Sequence, residues 1–264
     1  MILAKIVRHK KREIKSLKAA KPLGRLIEQV LRLGPKKHVF KKALEKGPGI
    51  SVIAEIKRRS PSKGVLRKSF DAGAIARGYA KGGAKALSVL TDRKFFGGSG
   101  EALRKARAAT RLPILRKDFI IDDYQVYESR LMGADAVLLI AGILSAAKLK
   151  RLAALARRLG LDCLFEVHSA AELAKVLRVK PDIVGINNRD LRTFRVDMSV
   201  TERLAPRIPR KVLVVSESGI QKHRDLIYLR SLGVKAVLVG ESLMREKDVS
   251  KALRRLLGKS RGAS

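Results

Sequence analysis

The chain has 264 residues, a length typical of one large α/β barrel or of two small domains. Hydrophobic residues make up 46% of the chain, enough for a sizeable core, which excludes a wholly disordered protein. Lys and Arg number 59 against 24 Asp and Glu, and the resulting net charge of +35 attracts anions but specifies no fold.

Residues 1–50 are predicted to form a helical extension that packs on the domain after it. Apolar residues recur at helical spacing over Ile2–Ala19 and Leu23–Leu33, and Pro35 and the Gly-Pro-Gly of residues 47–49 indicate breaks. The apolar start Met1–Val7 is brief and precedes the basic residues, whereas a signal peptide has the opposite order. We therefore expect a cytoplasmic protein that makes no membrane contact.

After residue 50, short apolar runs alternate with amphipathic stretches of helical period, which is typical of βαβ units and a parallel sheet. Cys163, the single cysteine, lies in one of these runs and is expected to be buried. The eight predicted strands are Ser51–Lys57, Ala86–Thr91, Leu112–Lys117, Asp135–Ile140, Asp162–Val167, Asp182–Asn187, Lys211–Ser216 and Lys235–Gly240. The clearest helices are Ala72–Gly82, Glu101–Ala109, Asp123–Met132, Ala146–Leu159, Ala171–Leu177 and Lys222–Leu232.

Eight such units predict a closed (β/α)8 TIM barrel, so that residues 1–264 form one domain with 1–50 as its N-terminal extension. An open sheet of fewer strands with a helical extension is the alternative. Four helices are followed by a glycine that we expect to adopt a left-handed cap, namely Gly83, Gly133, Gly160 and Gly233.

Polar residues end six of the eight predicted strands, and in a barrel those ends meet at one mouth. Strict alternation places Glu55 and Lys57 on the same face of the first strand, where a charged pair is costly unless each satisfies the other. The sequence therefore predicts an active site at the carboxyl-terminal mouth. Its other members are Lys117, Glu166, Asn187, Glu217, Ser218 and Glu241.

Two glycines after the last two strands indicate an anion site. Gly219 precedes a helix expected near Ile220, and Gly240 precedes a short helical turn at Glu241–Met244. Backbone N–H groups at such junctions bind phosphate, and barrels often place a phosphate site there. We expect a phosphorylated substrate, with the polar, basic loop Arg58–Gly64 as a mobile lid.

At these residues the sequence closely resembles the indole-3-glycerol phosphate synthase family. The matching runs, in the family's order and spacing, are Ile53–Gly64, Leu87–Ser99, Leu112–Tyr124, Phe165–His168, Gly185–Asp197, Ser216–Ile220 and Leu238–Met244. The resemblance implies a carboxy-lyase of tryptophan biosynthesis that acts on carboxyphenylamino-deoxyribulose 5-phosphate. The reaction would close the indole ring with loss of CO2 and water, and it would need no metal and no organic cofactor.

The resemblance also implies residue roles. Lys117 would be the general acid and Glu166 the general base, while Lys57 would hold substrate anions, including the phosphate, and Glu55 would orient it. Asn187 and Ser218 complete the implied catalytic set, and Arg189, Glu217, Phe96, Phe119 and Ser60 would bind the substrate, with the two phenylalanines against its aromatic ring. The backbone of Gly219, Gly240 and Glu241 would bind the phosphate.

Two other functions compete with this one. Another phosphate-binding barrel, such as a sugar-phosphate isomerase or epimerase, would share the anion site but would leave the lysines and the glutamate at strands one, three and five unexplained. A barrel that mainly binds RNA or another polyanion would use the +35 charge, but without Trp and with 4% aromatic residues its binding would be weak, salt-sensitive and sequence-blind. Docking on another enzyme of the tryptophan pathway is compatible with the sequence, which carries no signal for it.

Overall fold

The eight predicted strands close into a parallel barrel, which excludes the open-sheet alternative. This computed structural model describes residues 2–190 and 193–259, so Leu191 and Arg192 of the fifth resembling run lie outside the described residues. The barrel strands are β1 (Ser51–Ile56), β2 (Ala86–Leu90), β3 (Ile114–Lys117), β4 (Ala136–Ile140), β5 (Asp162–Val167), β6 (Ile183–Asn187), β7 (Leu213–Glu217) and β8 (Ala236–Val239). Each pairs in parallel with the next, and β8 pairs with β1.

Helices connect the strands on the outside of the barrel. The larger ones are Ala72–Gly82, Gly100–Ala109, Asp123–Leu131, Ala146–Arg158, Ala170–Leu177, Ser199–Leu204, His223–Ser231 and Val249–Leu256. Shorter elements are the helices Arg93–Phe96 and Glu241–Met244, the 3-10 turns Ala141–Ile143 and Ala205–Arg207, and a hairpin that pairs Arg59–Ser60 with Gly64–Val65. The four glycines predicted to follow helices have φ of 97°, 87°, 70° and 81° in chain order, which confirms their left-handed caps.

The extension contains three helices, Ile2–Ala20, Leu23–Arg32 and Phe40–Glu45, of which the third was not predicted. Its six residues are too few for a periodic pattern, and its first turn is stabilised from the barrel. The Asp162 carboxylate at the start of β5 accepts hydrogen bonds from the backbone N–H of Phe40 (2.9 Å) and Lys41 (3.1 Å). A contact between distant parts of the chain therefore forms this helix.

Of the two starts given for the helix after β7, Lys222 is within one residue of the observed start and the one near Ile220 is wrong. The helix after β7 begins at His223 rather than near Ile220. The Asp225 carboxylate accepts hydrogen bonds of 2.8 Å from the backbone N–H of both Gln221 and Lys222, which stabilises a turn ahead of the helix. The segment from Gly219 to that turn is consequently loop.

Side-chain alternation along the strands separates two buried layers. In β1, Val52, Ala54 and Ile56 pack under the helices, while Ile53 belongs to the cluster inside the barrel. Glu55 therefore faces the interior, as predicted. The first and third N-terminal helices supply Ile6 and Phe40 to the same interior cluster, so the extension packs against the barrel. Among the described residues, no helix is long and apolar enough to cross a membrane.

Candidate active site

A cavity of about 820 Å³ opens at the carboxyl ends of the strands, and every site residue predicted from the sequence lines it. They are Glu55, Lys57, Ser60, Phe96, Lys117, Phe119, Glu166, Asn187, Arg189, Glu217, Ser218, Gly219, Gly240 and Glu241. Lys117 on β3 and Glu166 on β5, two strands that both pair with β4, face the same space. The tertiary structure thus brings together residues that are far apart along the chain.

Five charged side chains form what we call the mouth cluster: Glu55, Lys57, Lys117, Glu166 and Glu217. Nζ of Lys117 lies 2.5 Å from Oε2 of Glu217, 3.5 Å from Oε2 of Glu166 and 3.9 Å from Oε2 of Glu55. Nζ of Lys57 lies 2.5 Å from Oε1 of Glu55. Four of these residues come from β1, β3, β5 and β7, so the cluster occupies one layer of the barrel interior, a layer normally apolar.

Glycines on the intervening strands leave room for this charged layer. A Cβ at Gly185, on β6, would lie 2.4 Å from Oε1 of Glu217, and a Cβ at Gly240, after β8, would lie 2.4 Å from Oε1 of Glu55. Both distances are far below van der Waals contact. Gly240 is therefore required by the packing of Glu55, in addition to any part it plays in anion binding.

The mouth cluster holds three carboxylates but only two ammonium groups. This surplus of one carboxylate affects the pKa values of its members. Burial lowers the pKa of Lys117, but Glu217, Glu166 and Glu55 outweigh this effect and raise it above its ordinary value. Burial and the two neighbouring carboxylates raise the pKa of Glu217 to about 7, against the opposing effect of Lys117. Lys117 thus stays a cation, and Glu217 retains a proton close to neutrality.

An apolar wall lies beside the cluster. The rings of Phe96 and Phe119 have centroids 6.0 Å apart and are tilted by 37°. Phe96 ends a short helix whose first turn is capped by Asp92, which accepts hydrogen bonds from the backbone N–H of Phe95 (2.7 Å) and Phe96 (3.3 Å). The wall can pack against an aromatic ring.

The polar side of the cavity is organised around Asn187. Its Oδ1 accepts hydrogen bonds from the Ser218 hydroxyl at 2.9 Å and from the Arg189 backbone N–H at 3.0 Å. The Arg189 guanidinium lies 3.3 Å from Glu241, whose other carboxylate oxygen is 3.5 Å from Arg245. Two arginines therefore line the end of the cavity where the phosphate site was predicted, and Arg245 was missed.

The segments of the predicted anion site have a backbone that agrees with the prediction in part. Ser218 and Gly219 both adopt left-handed φ, 68° and 88°, and the short helix Glu241–Met244 begins where it was predicted. The helix after β7, however, begins at His223, so the positive end of that helix does not directly follow Gly219.

The loop after β1 folds over the mouth as the hairpin described above. Ser60 is buried and lines the cavity together with Pro61, Ser62 and Lys63. The Arg59 guanidinium donates to the backbone carbonyls of Arg93 and Lys94, which ties the hairpin to the loop after β2. The loop therefore covers the site.

Behind the mouth lies a second group of charges, which we call the anchor network: Lys10, Asp92, Arg116 and Asp118. Nζ of Lys10, in the first helix and only 1% exposed, lies 3.2 Å from Asp92 and 3.0 Å from Asp118. The Arg116 guanidinium lies 3.0 Å from Asp118. Burial raises the pKa of Asp118, but Arg116 and Lys10 outweigh it and lower the pKa to about 2.

The sequence analysis missed this network. Lys10 is one of many basic residues in an amphipathic helix, and nothing local sets it apart. Arg116 carried a usable signal, because a charge inside the apolar run Leu112–Lys117 must find a buried partner. Its partners are Asp118, two residues further on, and Glu128, whereas the burial of Lys10 from the N-terminal extension beside Asp118 could not be read from spacing.

The architecture and the mouth cluster together define a class: a (β/α)8-barrel enzyme with its site at the carboxyl ends of the strands. Comparison with known proteins specifies it further. The family model described as indole-3-glycerol phosphate synthase matches residues 3–256. The chain belongs to the indole-3-glycerol phosphate synthase family, and it is a carboxy-lyase of tryptophan biosynthesis.

Two curated relatives support this membership. The indole-3-glycerol phosphate synthase of Caldanaerobacter subterraneus subsp. tengcongensis is 50% identical over 246 residues, 93% of this chain and 94% of the relative. That of Dehalococcoides mccartyi is 48% identical over 260 residues, 97% of this chain and 100% of the relative. A thiamine phosphate pyrophosphorylase structure from Pyrococcus furiosus shares the fold, with a TM-score of 0.61 at 19% identity over 79% of this chain and 94% of that one.

Proposed function

We propose that the mouth cluster carries out the synthase reaction, with Lys117 as general acid and Glu166 as general base. The observation that supports this assignment is that Nζ of Lys117 and Oε2 of Glu166 lie 3.5 Å apart at the base of one cavity. The substrate is carboxyphenylamino-deoxyribulose 5-phosphate. Ring closure, loss of CO2 and loss of water then give indole-3-glycerol phosphate.

Lys117 acts in ring closure. As the aromatic carbon attacks the ketone carbon, negative charge develops on the carbonyl oxygen, and the ammonium group supplies both a countercharge and a proton. The raised pKa keeps Lys117 protonated at physiological pH, as an acid requires. The alkoxide formed in the attack is a stronger base than an amine, so the proton still moves to it.

Glu166 acts after ring closure. The iminium produced by the attack accepts the electrons of the breaking bond to the carboxyl group, so CO2 leaves without a further electron sink. Lys117 regains a proton from Glu217, 2.5 Å away, and passes it to the hydroxyl group, which leaves as water with the electrons of its C–O bond. The carboxylate of Glu166 takes the proton from the adjacent ring carbon, and the electrons of that C–H bond complete the aromatic system. Lys57, oriented by its 2.5 Å contact with Glu55, holds the anionic groups of the substrate.

The remaining lining residues position the two ends of the substrate. Phe96 and Phe119 pack against the anthranilate ring, and Ser60 covers it from the hairpin. Asn187, Ser218 and Glu217 bind the sugar hydroxyls, while Arg189 lies toward the phosphate. The backbone of Gly219, Gly240 and Glu241 binds that phosphate, with Lys57 as countercharge.

A turnover assay tests this function. The purified chain is mixed with the carboxyphenylamino sugar phosphate, and the rise of indole fluorescence is followed. A matched panel of ketose and aldose phosphates tests the isomerase alternative. Indole formation with no isomerisation of the panel is the expected result, and isomerisation without indole would refute the assignment.

The basic surface suggests a minor, separate property. The first helix exposes five basic side chains, Lys5, Arg8, Lys11, Arg12 and Lys15, and its single acidic residue, Glu13, contacts Lys10. Such a surface binds polyanions weakly and without sequence preference. RNA affinity should fall steeply between low and physiological salt, whereas tight, sequence-selective binding at physiological salt would favour RNA binding as the main role.

The proposal also covers domain organisation and localisation. Residues 1–264 form a single domain, and the protein is cytoplasmic.

A further inference from the structure

His168 follows β5 and lies two residues after Glu166, but it does not line the cavity. Its Nε2 lies 3.5 Å from Oε1 of Glu166, while the other oxygen, Oε2, lies 3.5 Å from Nζ of Lys117. The proposed base is therefore held between two nitrogen groups. One of them contacts the substrate space and the other lies behind it.

The orientation of this imidazole is set by Glu172, in the first turn of the helix Ala170–Leu177. Oε2 of Glu172 accepts a 2.7 Å hydrogen bond from the His168 backbone N–H and lies 3.4 Å from Nδ1 of the ring. The backbone N–H of Glu172 donates to the Ser169 hydroxyl, which begins the helix, and Gly142 leaves room for the Glu172 carboxylate, since a Cβ there would lie 3.0 Å from Oε1. The ring consequently has little freedom to turn away from Glu166.

Both ring nitrogens thus face carboxylate oxygens. A neutral imidazole has one N–H, so either tautomer would point a lone pair at a carboxylate. The imidazolium can donate from Nδ1 to Glu172 and places its charge 3.5 Å from Glu166, to which Nε2 makes an ion-pair contact but no hydrogen bond. Burial lowers the pKa of His168, but Glu172, Glu166 and Glu217 outweigh it and raise the pKa. The nearby lysines are directed elsewhere, since Lys117 contacts the other side of Glu166 and Lys175 donates to the backbone carbonyls of residues 141 and 144.

We propose that His168 is a positioning residue: as an imidazolium held by Glu172, it places a positive charge behind the Glu166 carboxylate and keeps that carboxylate directed into the cavity. This inference rests on the proposed role of Glu166 as the base. His168 touches no substrate, so it should influence the proton-transfer step and leave substrate binding unchanged.

Two variants of His168 test the inference through pH profiles of kcat. His168→Gln keeps a polar side chain without charge, and His168→Lys keeps a cation. In His168→Gln the acidic limb of the profile should move to higher pH by roughly one unit, which lowers kcat about tenfold on that limb while KM stays unchanged. His168→Lys should bring the limb back toward its original position.

His38→Asn is the matched control, because it removes an imidazole–carboxylate pair at the opposite end of the same strand. Nδ1 of His38 lies 3.0 Å from Asp162, which begins β5. This variant should leave the acidic limb in place. If His168→Gln has the wild-type limb, or if the Gln and Lys variants behave alike, the positioning role is wrong.

A measurement independent of turnover separates this inference from the proposed function. The chain has four histidines, so their ring resonances can be titrated individually by NMR. Glu172→Gln should lower the pH at which His168 titrates and leave that of His38 unchanged. Absence of indole formation by the wild type would refute the proposed function alone. An unmoved His168 titration in Glu172→Gln would refute the ion pair on which this inference depends.

Discussion

The mouth cluster and the anchor network share the end of β3, where Lys117 belongs to the first and the next residue, Asp118, to the second, yet their charges are arranged differently. The four members of the anchor network are all buried, two cations with two carboxylates, and the further carboxylates that contact Lys10 and Arg116, those of Glu13 and Glu128, are partly exposed. The mouth cluster opens into the cavity and has one carboxylate too many. The pKa of Asp118 is accordingly lowered to about 2, whereas that of Glu217 is raised to about 7.

This difference separates buried charges that stabilise the fold from buried charges that can take part in catalysis. A balanced, fully paired group holds its members in one protonation state and stabilises one arrangement. An unbalanced group beside a cavity retains a proton that can be moved, which is the property a catalytic site needs. Because Asp118 follows Lys117 directly, the anchor network also fixes the backbone that carries the proposed acid.

The largest expected effect in the mouth cluster comes from Lys117→Ala. Loss of the acid and of its charge should lower kcat/KM by at least about 10⁴-fold, which is effectively no turnover. The fold should persist, as judged by an unchanged circular dichroism spectrum. Lys85→Ala, which removes an exposed lysine just before β2, is the control and should keep full activity. Near-normal turnover in Lys117→Ala would refute the assignment of the acid.

Glu166→Gln should have the next largest effect. It keeps the shape of the side chain and its contact with Lys117 but cannot accept the ring proton, so kcat should fall by about 10³-fold. KM should change little. Single-turnover kinetics should show that the step after ring closure has become slow. A variant that releases product at the normal rate would exclude Glu166 as the base.

In the anchor network, Lys10→Met should change stability far more than turnover. It leaves Asp92 and Asp118 buried with one cation instead of two, which should lower the free energy of unfolding by about 3 kcal/mol. Urea unfolding measures this loss. Lys105→Met is the matched control, since it breaks an exposed 2.9 Å pair with Glu101 and should change nothing measurable. Equal free energies of unfolding for the two variants would show that the anchor network stabilises the fold no more than an exposed ion pair does.

The smallest effect concerns Glu217→Gln and its dependence on pH. The pKa of Glu217 is raised to about 7, above its unfolded value, so its ionisation destabilises the fold as pH rises from about 4.5 through 7. The variant should therefore gain about 1–3 kcal/mol relative to the wild type between pH 5 and pH 8. Urea unfolding at both values tests this. A pH-independent difference would show that the surplus proton lies elsewhere.

Much of the fold could be predicted from periodicity alone. All eight strands lie within two residues of their predicted ends, because buried parallel strands are continuous apolar runs that end at turn residues. Short elements, and helix starts that depend on a side-chain hydrogen bond, could not be predicted. The helix Phe40–Glu45 depends on Asp162, and the start of the helix at His223 depends on Asp225. In both places a side chain outside the local pattern decides where a helix begins.

The candidate site shows the same division. Glu55, Lys57, Lys117, Glu166 and Glu217 were predictable because strand ends of a parallel barrel must converge, and a charge in an apolar strand is conspicuous. Lys10 was not, because only folding brings it near Asp92 and Asp118. His168 was missed although Glu166 and Glu172 lie within four residues of it, because the sequence does not show that its ring turns toward both.

The sequence by itself determined the number of βα units, the face on which each strand residue lies and the family to which the chain is similar. Those properties depend on local period and on neighbouring residues. Only the tertiary structure decided which charges pair, which carboxylate keeps a proton and which lysine of an ordinary basic helix is buried. Electrostatic energies depend on distance and burial in space, and neither quantity is a function of separation along the chain.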